Sequence, residues 1–456
     1  MKKIYIESEV LKSAVDTVSL ASSDKAVVLM NIGVRVKDDS MLSTITVLGG
    51  SNQASSAIEH KAPADAKGVE DQYMTLAFKA KEFFTIVGSL LSDNGRIFIE
   101  SDDKVCHVGI DKVAKATLEV IPKESVPAAI PVKNDEIIMQ AQVKVNALFD
   151  ALRIGAAHAD PNANAEKGTG NAIFRFVYEE SDKKGIPGTL QIYSTDGKAM
   201  SRGTCKCAIT NDPVFTANAK KYCEAKGIED VCVAIPKKSI SDIFKAAAGY
   251  ETVIFNFTEK HCHIALGSSS IFVFTTGSTI CKAVFHVDEW ANEKRPVVLV
   301  VDTDTFGKRL EFLNKINDLS GKADPIIIKV ERGKPLSVTL SSKKSGEAKI
   351  ETVGEKFEEG AEEKFEVALA GKYVTGIISN LKKGNCRIAI YPGDRKNPVE
   401  FANGDLNMKS MESIAYLFTV LTPSGAKAKT EEEFDGEKTT EEETPDGEAA
   451  TEEVTE

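Results

Sequence analysis

The sequence predicts an α+β protein of three tandem domains, each made of two helix-and-strand units. Two observations carry that expectation. A strand running straight into an amphipathic helix occurs three times, at TLAFKAKEFFTIVG (Thr75 to Gly88), CVAIPKKSISDIFK (Cys232 to Lys245) and EVALAGKYVTGIIS (Glu366 to Ser379). A further strand follows each at a kept distance: 20 residues from Phe78 to Phe98, 20 from Ile235 to Phe255 and 21 from Leu369 to Ile390. The repeat period exceeds a hundred residues, which is too long for a solenoid and suits whole domains.

A matching first half precedes each of these segments. Helices are expected at VLKSAVDTV from Val10, VNALFDALRI from Val145 and FGKRLEFLNKI from Phe306, where apolar residues recur at helical spacing. Two alternating strands follow each helix: Ile32 to Val36 with Leu42 to Val47, Ile173 to Val177 with Leu190 to Tyr193, and Ile326 to Val330 with Leu336 to Leu340. Proline-rich punctuation at Pro122 to Pro131 and around Ala291 to Pro296 sets the boundaries. The domains are expected at residues 1–126, 134–291 and 295–423, with an acidic tail at 424–456. The second domain is lengthened by two expected loop insertions, Asp160 to Gly170 and Asn211 to Asp230.

Charge is unevenly placed along the chain. The 57 basic and 68 acidic residues give −11 over 456 residues, but residues 424–456 alone hold 13 acids against 3 lysines. That leaves 54 basic and 55 acidic residues in the body, too balanced to grip nucleic acid by bulk attraction. The tail has too little apolar surface to offset the entropy of ordering, so disorder is expected there. No apolar run reaches the roughly 20 residues of a membrane span, and Glu7 and Glu9 interrupt the place of a signal peptide's apolar stretch. A cytoplasmic protein with no membrane contact is expected.

Catalytic and metal signals are scarce. Eight cysteines are scattered without a CxxC pair and read as buried hydrophobes, so no metal and no cofactor is expected. His261 and His263 flank Cys262 on one face of an alternating strand, without a third ligand in sequence, and read as exposed strand residues. Thr195-Asp196-Gly197 after a strand suggests a turn before it suggests phosphate chemistry, because the glycine pattern of a P-loop is missing. An enzyme using Thr195 and Asp196 would be the competing reading. No nucleophile, base and orienting group can be assembled, so no catalytic residue is expected. Trp290, the single tryptophan, reads as a packing residue at a domain junction.

The outer faces of four helices carry lysine. Lys238 and Lys245 lie opposite the stripe Ile240, Ile243, Phe244 and Ala247, and Lys308 and Lys315 lie opposite Phe306, Leu310 and Leu313. Lys12 and Lys382 are placed likewise on the helices from Val10 and Lys372. Lysine is also common on any solvated helix, and Glu311 and Asp16 dilute the pattern.

Taken in order, these elements resemble the bacterial sliding clamp, the beta subunit of DNA polymerase III, over about residues 1 to 423. LQIYSTDGKAMS (Leu190 to Ser201) is similar to that family's strand and turn centred on Thr-Asp-Gly, and VAIPKKSISDIFKAA (Val233 to Ala247) to its strand-to-helix element. KYVTGIISNL (Lys372 to Leu381) resembles its last helix, and Tyr416 to Leu421 stands in place of its terminal strand. The resemblance implies a DNA-clamp fold with helices on the inner face and sheets outside. It also implies a non-enzymatic processivity factor, a homodimer closed head to tail around double-stranded DNA without reading sequence.

Lys12, Lys238, Lys245, Lys308, Lys315 and Lys382 would then face DNA. The implied partners are DNA polymerase, the clamp loader and other clamp-binding peptides. Thr195, Gly197, Lys198, Met200, Leu417, Thr419, Val420 and Leu421 would wall one peptide pocket. Three departures stand out: Lys198-Ala199 in place of His-Arg, no Met-Pro-Met-like end, and 33 residues beyond Pro423. A clamp-like scaffold or inhibitor that binds replication proteins without encircling DNA is the alternative.

Overall fold

Strands and helices alternate in one order repeated six times. The computed structural model describes residues 2–9, 11–12, 15, 27–37, 40–50, 56–64, 73–90, 95–102, 104–122, 133–160, 168–178, 186–267, 269–275, 280–320, 325–340, 346–391, 398–406 and 413–418. Each unit reads strand, helix, then three strands. The first is β1 (Lys2–Glu7), helical residues 8, 9, 11, 12 and 15, then β2 (Val27–Lys37), β3 (Ser40–Gly50) and β4 (Ser56–Ala64). The second is β5 (Tyr73–Lys79), α1 (Ala80–Leu90), β6 (Arg96–Ser101), β7 (Val105–Ile110) and β8 (Ala114–Glu119). The third is β9 (Met139–Lys144), α2 (Val145–Gly155), β10 (Asn171–Tyr178), β11 (Ile186–Thr195) and β12 (Ala199–Ile209).

Helix α3 (Pro213–Lys226) precedes the fourth unit: β13 (Val231–Pro236), α4 (Lys237–Ala247), β14 (Thr252–Phe257), β15 (His261–Leu266) and β16 (Ser269–Phe274). After α5 (His286–Asn292) comes the fifth: β17 (Val297–Asp302), α6 (Thr303–Ser320), β18 (Pro325–Glu331), β19 (Leu336–Leu340) and β20 (Glu347–Ile350), extended by β21 (Thr352–Phe357). The sixth is β22 (Lys364–Ala370), α7 (Gly371–Asn380), β23 (Asn385–Ile390), β24 (Val399–Asn403) and β25 (Ser413–Leu417).

Consecutive units exchange their first strands. β1 pairs with β6 of the second unit, and β5 of the second pairs back onto β2 of the first. β9 with β14 and β13 with β10 repeat the exchange, as do β17 with β23 and β22 with β18. All six pairings are antiparallel. Two further ladders join the pairs of units end to end: β4 with β16, and β12 with β25. Residues Met1–Val420 form one compact unit.

The helices cover one face of this sheet system because one side of each is apolar. Phe83 and Val87 of α1, Leu148 and Leu152 of α2, and Ile240 and Ile243 of α4 share a core with Phe78, Phe174 and Phe255 of the strands. Phe306, Leu310 and Leu313 of α6 and Val374 and Ile377 of α7 share a second core with Ile326 and Ile388. Each such side chain contributes about 1.5–3 kcal/mol on burial. Gly155 and Gly203 let α2 approach the sheet: a Cβ on Gly203 would lie 1.9 Å from the Ala151 carbonyl oxygen.

The structure differs from expectation at two places here. The expected loop Asn211 to Asp230 contains α3, whose start is fixed by Asp212 accepting from Val214 N at 2.8 Å with Pro213 at the first helical position. Gly227, at φ 61°, ends it in the left-handed conformation. Its signals were all present, but only Phe215 and Ala219 are buried, so the helix carries a weak apolar stripe. Lys382 lies two residues past the end of α7 at Asn380. Residues 123–132, 161–167 and 419–456 lie outside the described residues, and with them much of the first linker, the core of the Asp160 to Gly170 insertion and the acidic tail.

Candidate functional site

The turn between β11 and β12 meets the terminal strand where the third and sixth units join. Five residue pairs, from Ala199 with Leu417 to Gly203 with Ser413, make that ladder. Asp196 builds the turn by accepting from Lys198 N and Ala199 N, both at 2.9 Å, while the Thr195 hydroxyl donates to Ala199 O at 2.8 Å. Gly197 has φ 85°, which glycine adopts without strain. The other Asp196 oxygen accepts from the Tyr373 hydroxyl of α7 at 2.5 Å. His158 stacks on Tyr373 at 6.2 Å and donates its backbone N–H to Ser194 Oγ. Asp196 thus serves both the turn and the tether to α7.

Of the residues expected to wall a pocket, Gly197 and Lys198 are exposed at the turn while Thr195, Met200 and Leu417 are buried. Met200 and Leu417 point to opposite faces of the sheet. Met200 clusters with Tyr193, Val284, Val287 and Tyr416, whereas Leu417 lies in the helix-side core with Val399 and Phe401. Thr419, Val420 and Leu421 lie outside the described residues.

Helix α5 seats on the Met200 face. Its Asp288 accepts from Arg175 Nη1 at 2.8 Å, the Tyr193 hydroxyl at 2.7 Å and Arg202 Nη1 at 2.5 Å. Trp290, half-buried, packs edge-on against Tyr416 at 5.3 Å and Phe418 at 5.8 Å. The expectation of a packing tryptophan omitted Asp288 and Tyr373, since partners 86 to 177 residues distant leave no local signal.

The helix layer carries the lysines. Lys238 and Lys245 of α4, Lys308 and Lys315 of α6, Lys12 and Lys382 are all exposed. Lys382 also pairs with Asp150 of α2 at 3.3 Å, which draws α2 and the end of α7 together. Phe312, 52% exposed, falls between Lys308 and Lys315 at spacings of four and three, so all three share one helix face. That spacing was legible in the sequence; its exposure was not.

His261 departs from expectation: the imidazole is buried, while His263 is half-buried, tilted on Phe272 and in contact with Asn256 Nδ2 at 3.1 Å. Among the described residues no three His, Cys, Asp or Glu side chains converge to hold a metal, and no helix is long and apolar enough to cross a membrane.

Comparison by structure turns up close parallels. A putative DNA polymerase III beta subunit from Eubacterium rectale superposes with a TM-score of 0.70 at 14% identity, covering 92% of this chain and 98% of that one. The fold is that of a sliding clamp. The DNA polymerase sliding clamp from Bacillus subtilis matches with a TM-score of 0.70 at 14% identity over 92% of this chain and 99% of its own. The Helicobacter pylori beta clamp, bound in its structure to a DNA ligase peptide, gives 0.66 at 12% identity over 92% and 100%. No family model and no curated sequence matches the chain.

Proposed function

We propose that the protein is a non-enzymatic sliding clamp, three domains per chain, that closes head to tail with a second copy around duplex DNA and tethers replication proteins. One observation carries this reading: the two internal joins follow a single rule. In each, the last strand of one pair's first unit meets the last strand of the next pair's second unit, β4 with β16 and β12 with β25. Applying the rule once more leaves β20 of one copy for β8 of another.

Both strands are edges of four-stranded sheets, and β8 is exposed at most of its positions. A bare edge with unpaired N–H and C=O groups calls for a partner. The hydrogen bonds Val120 N to Lys104 O and Leu340 N to Gly346 O set the phase of the two ladders. By alternation, the backbones of Lys115, Thr117 and Glu119 and of Glu347 and Lys349 then point outward.

A topologically held ring needs no tight grip on DNA. Six lysines on a near-neutral body suit it, because weak phosphate contacts position the duplex without reading bases. Phe312 would add an apolar contact between Lys308 and Lys315. Polymerase, clamp loader and other partners would present extended peptides at the exposed Gly197–Lys198 turn, beside the half-exposed Trp290 and Phe418.

The test is loading on nicked circular duplex, followed by linearisation. A ring slides off when ends appear. A chain that stays monomeric and binds linear and circular DNA alike would instead be a clamp-like scaffold or inhibitor.

A further inference from the structure

Both internal joins of the sheet system are made at one position of the fold, set by a count along the ladders. Gln142 lies three residues before α2, and its row of paired residues runs through Ile254 and Ala265 to Ser270 on β16. Val300 lies three residues before α6, and its row runs through Arg387 and Ala402 to Ile414 on β25. Ser270 and Ile414 are therefore equivalent positions.

The strands they meet are counted from the other helix of each pair. Ala77, three residues before α1, leads through Leu29 and Leu48 to Glu59 on β4. Ala234, three residues before α4, leads through Ile173 and Tyr193 to Arg202 on β12. The joins pair Ser270 with Glu59 and Ile414 with Arg202, so the rows meet end to end in both. Different side chains at the two joins share one register, which makes the register a property of the backbone.

The two free edges carry the same rows. Tyr5, three residues before helical Ser8, leads through Phe98 and Gly109 to Lys115 on β8. Ala368, three residues before α7, leads through Ile327 and Thr339 to Glu347 on β20. The shared register sets Lys115 of one copy opposite Glu347 of another, and Ala114 opposite Ala348. Backbone phase agrees with it, since Lys115 and Glu347 both turn their N–H and C=O groups outward, as a ladder pair requires. Burial agrees as well: Lys115 and Glu347 are exposed, while Leu118 and Ala348 belong to the helix-side cores.

Opposite charges facing each other across a ladder attract. Within its own chain Lys115 has a loose contact with Glu100 at 3.9 Å, and Glu347 accepts from the Ser337 hydroxyl at 2.8 Å. We propose that two copies of this chain join in that single register, with Lys115 of one opposite Glu347 of the other at each contact. This rests on ring closure and adds which residues meet and how a copy of this chain is selected as the partner.

Charge exchange in the full chain tests the pair, with self-association measured by sedimentation at low salt. Lys115→Glu and Glu347→Lys each set like charges face to face at both contacts, and each should weaken the dimer at least about tenfold. In an equimolar mixture one contact pairs the two new residues and the other pairs the two original ones. A mixed dimer of near wild-type affinity should therefore form.

Cysteines test the register independently. Lys115→Cys with Glu347→Cys in one chain should give a covalent dimer on mild oxidation, because opposed Cα atoms stand about 5.5 Å apart. Lys115→Cys with Lys349→Cys should not, the diagonal being about 7–8 Å. Cross-linking through position 349 in place of 347, or a dimer indifferent to both charge changes, would overturn the register and leave the ring standing. A wild-type chain that stays monomeric at every concentration would overturn both.

Discussion

His158 couples the join between the third and sixth units to pH. Burial, helped by the Lys237 charge and opposed by Asp196, lowers its pKa from 6.5 to about 4, and its Nε2 has no partner. The folded state therefore binds this proton more weakly than the unfolded chain. Stability should be intact above about pH 6.5 and fall as pH drops toward 4, by about 3 kcal/mol in all at 1.4 kcal/mol per unit. Denaturant midpoints measured from pH 4 to 7 should show this slope, and His158→Gln should flatten it. Gly203→Ala should cost about 1–3 kcal/mol or more, since the added methyl meets the Ala151 carbonyl and the backbone cannot give way cheaply. Chemical denaturation checks it, with Gly197→Ala as the comparison where strain comes from φ alone.

Edge strands carry the assembly argument. Thr117→Pro and Lys349→Pro each remove an outward N–H while leaving the inward ladder bonds intact. Each should give a monomer with unchanged circular dichroism, whereas the parent should sediment at about twice 49.3 kDa if the proposed ring forms. A dimer persisting in both variants would count against edge-to-edge closure. At this scale the sequence was unevenly informative. The three strand-to-helix segments were legible because period-two and period-3.6 patterns meet at Lys79–Ala80, Pro236–Lys237 and Ala370–Gly371. The exchange of first strands was not, since alternation says which face a side chain takes and nothing of which strand lies alongside. His261 shows the same limit: alternation put it on a face with His263, and its burial depends on contacts that no local pattern records.

For the molecule as a whole, DNA retention should depend on closure and DNA sliding on charge. Replacing Lys238, Lys245, Lys308 and Lys315 by alanine should lower the salt dependence of DNA binding by roughly one unit of slope per lost phosphate contact. Retention on a closed circle should survive the same change. Phe312→Ala should weaken binding without altering the slope. The near-neutral body and the helical lysines Lys238, Lys245, Lys308 and Lys315 were readable before any fold was known, whereas the place of Lys382 beyond its helix and the direction the lysines face required the helices to be placed.

The exchanged first strands also bear on how the polypeptide is made. As it leaves the ribosome, Lys2 must wait for Ser101, and Met139 for Phe257, before their ladders can close. Half of any pair is therefore an unfinished object with a naked edge, exposed to adventitious association while synthesis continues. Fragments cut after Ala64 or Ile209 should misassemble, and useful truncations should fall only after complete pairs.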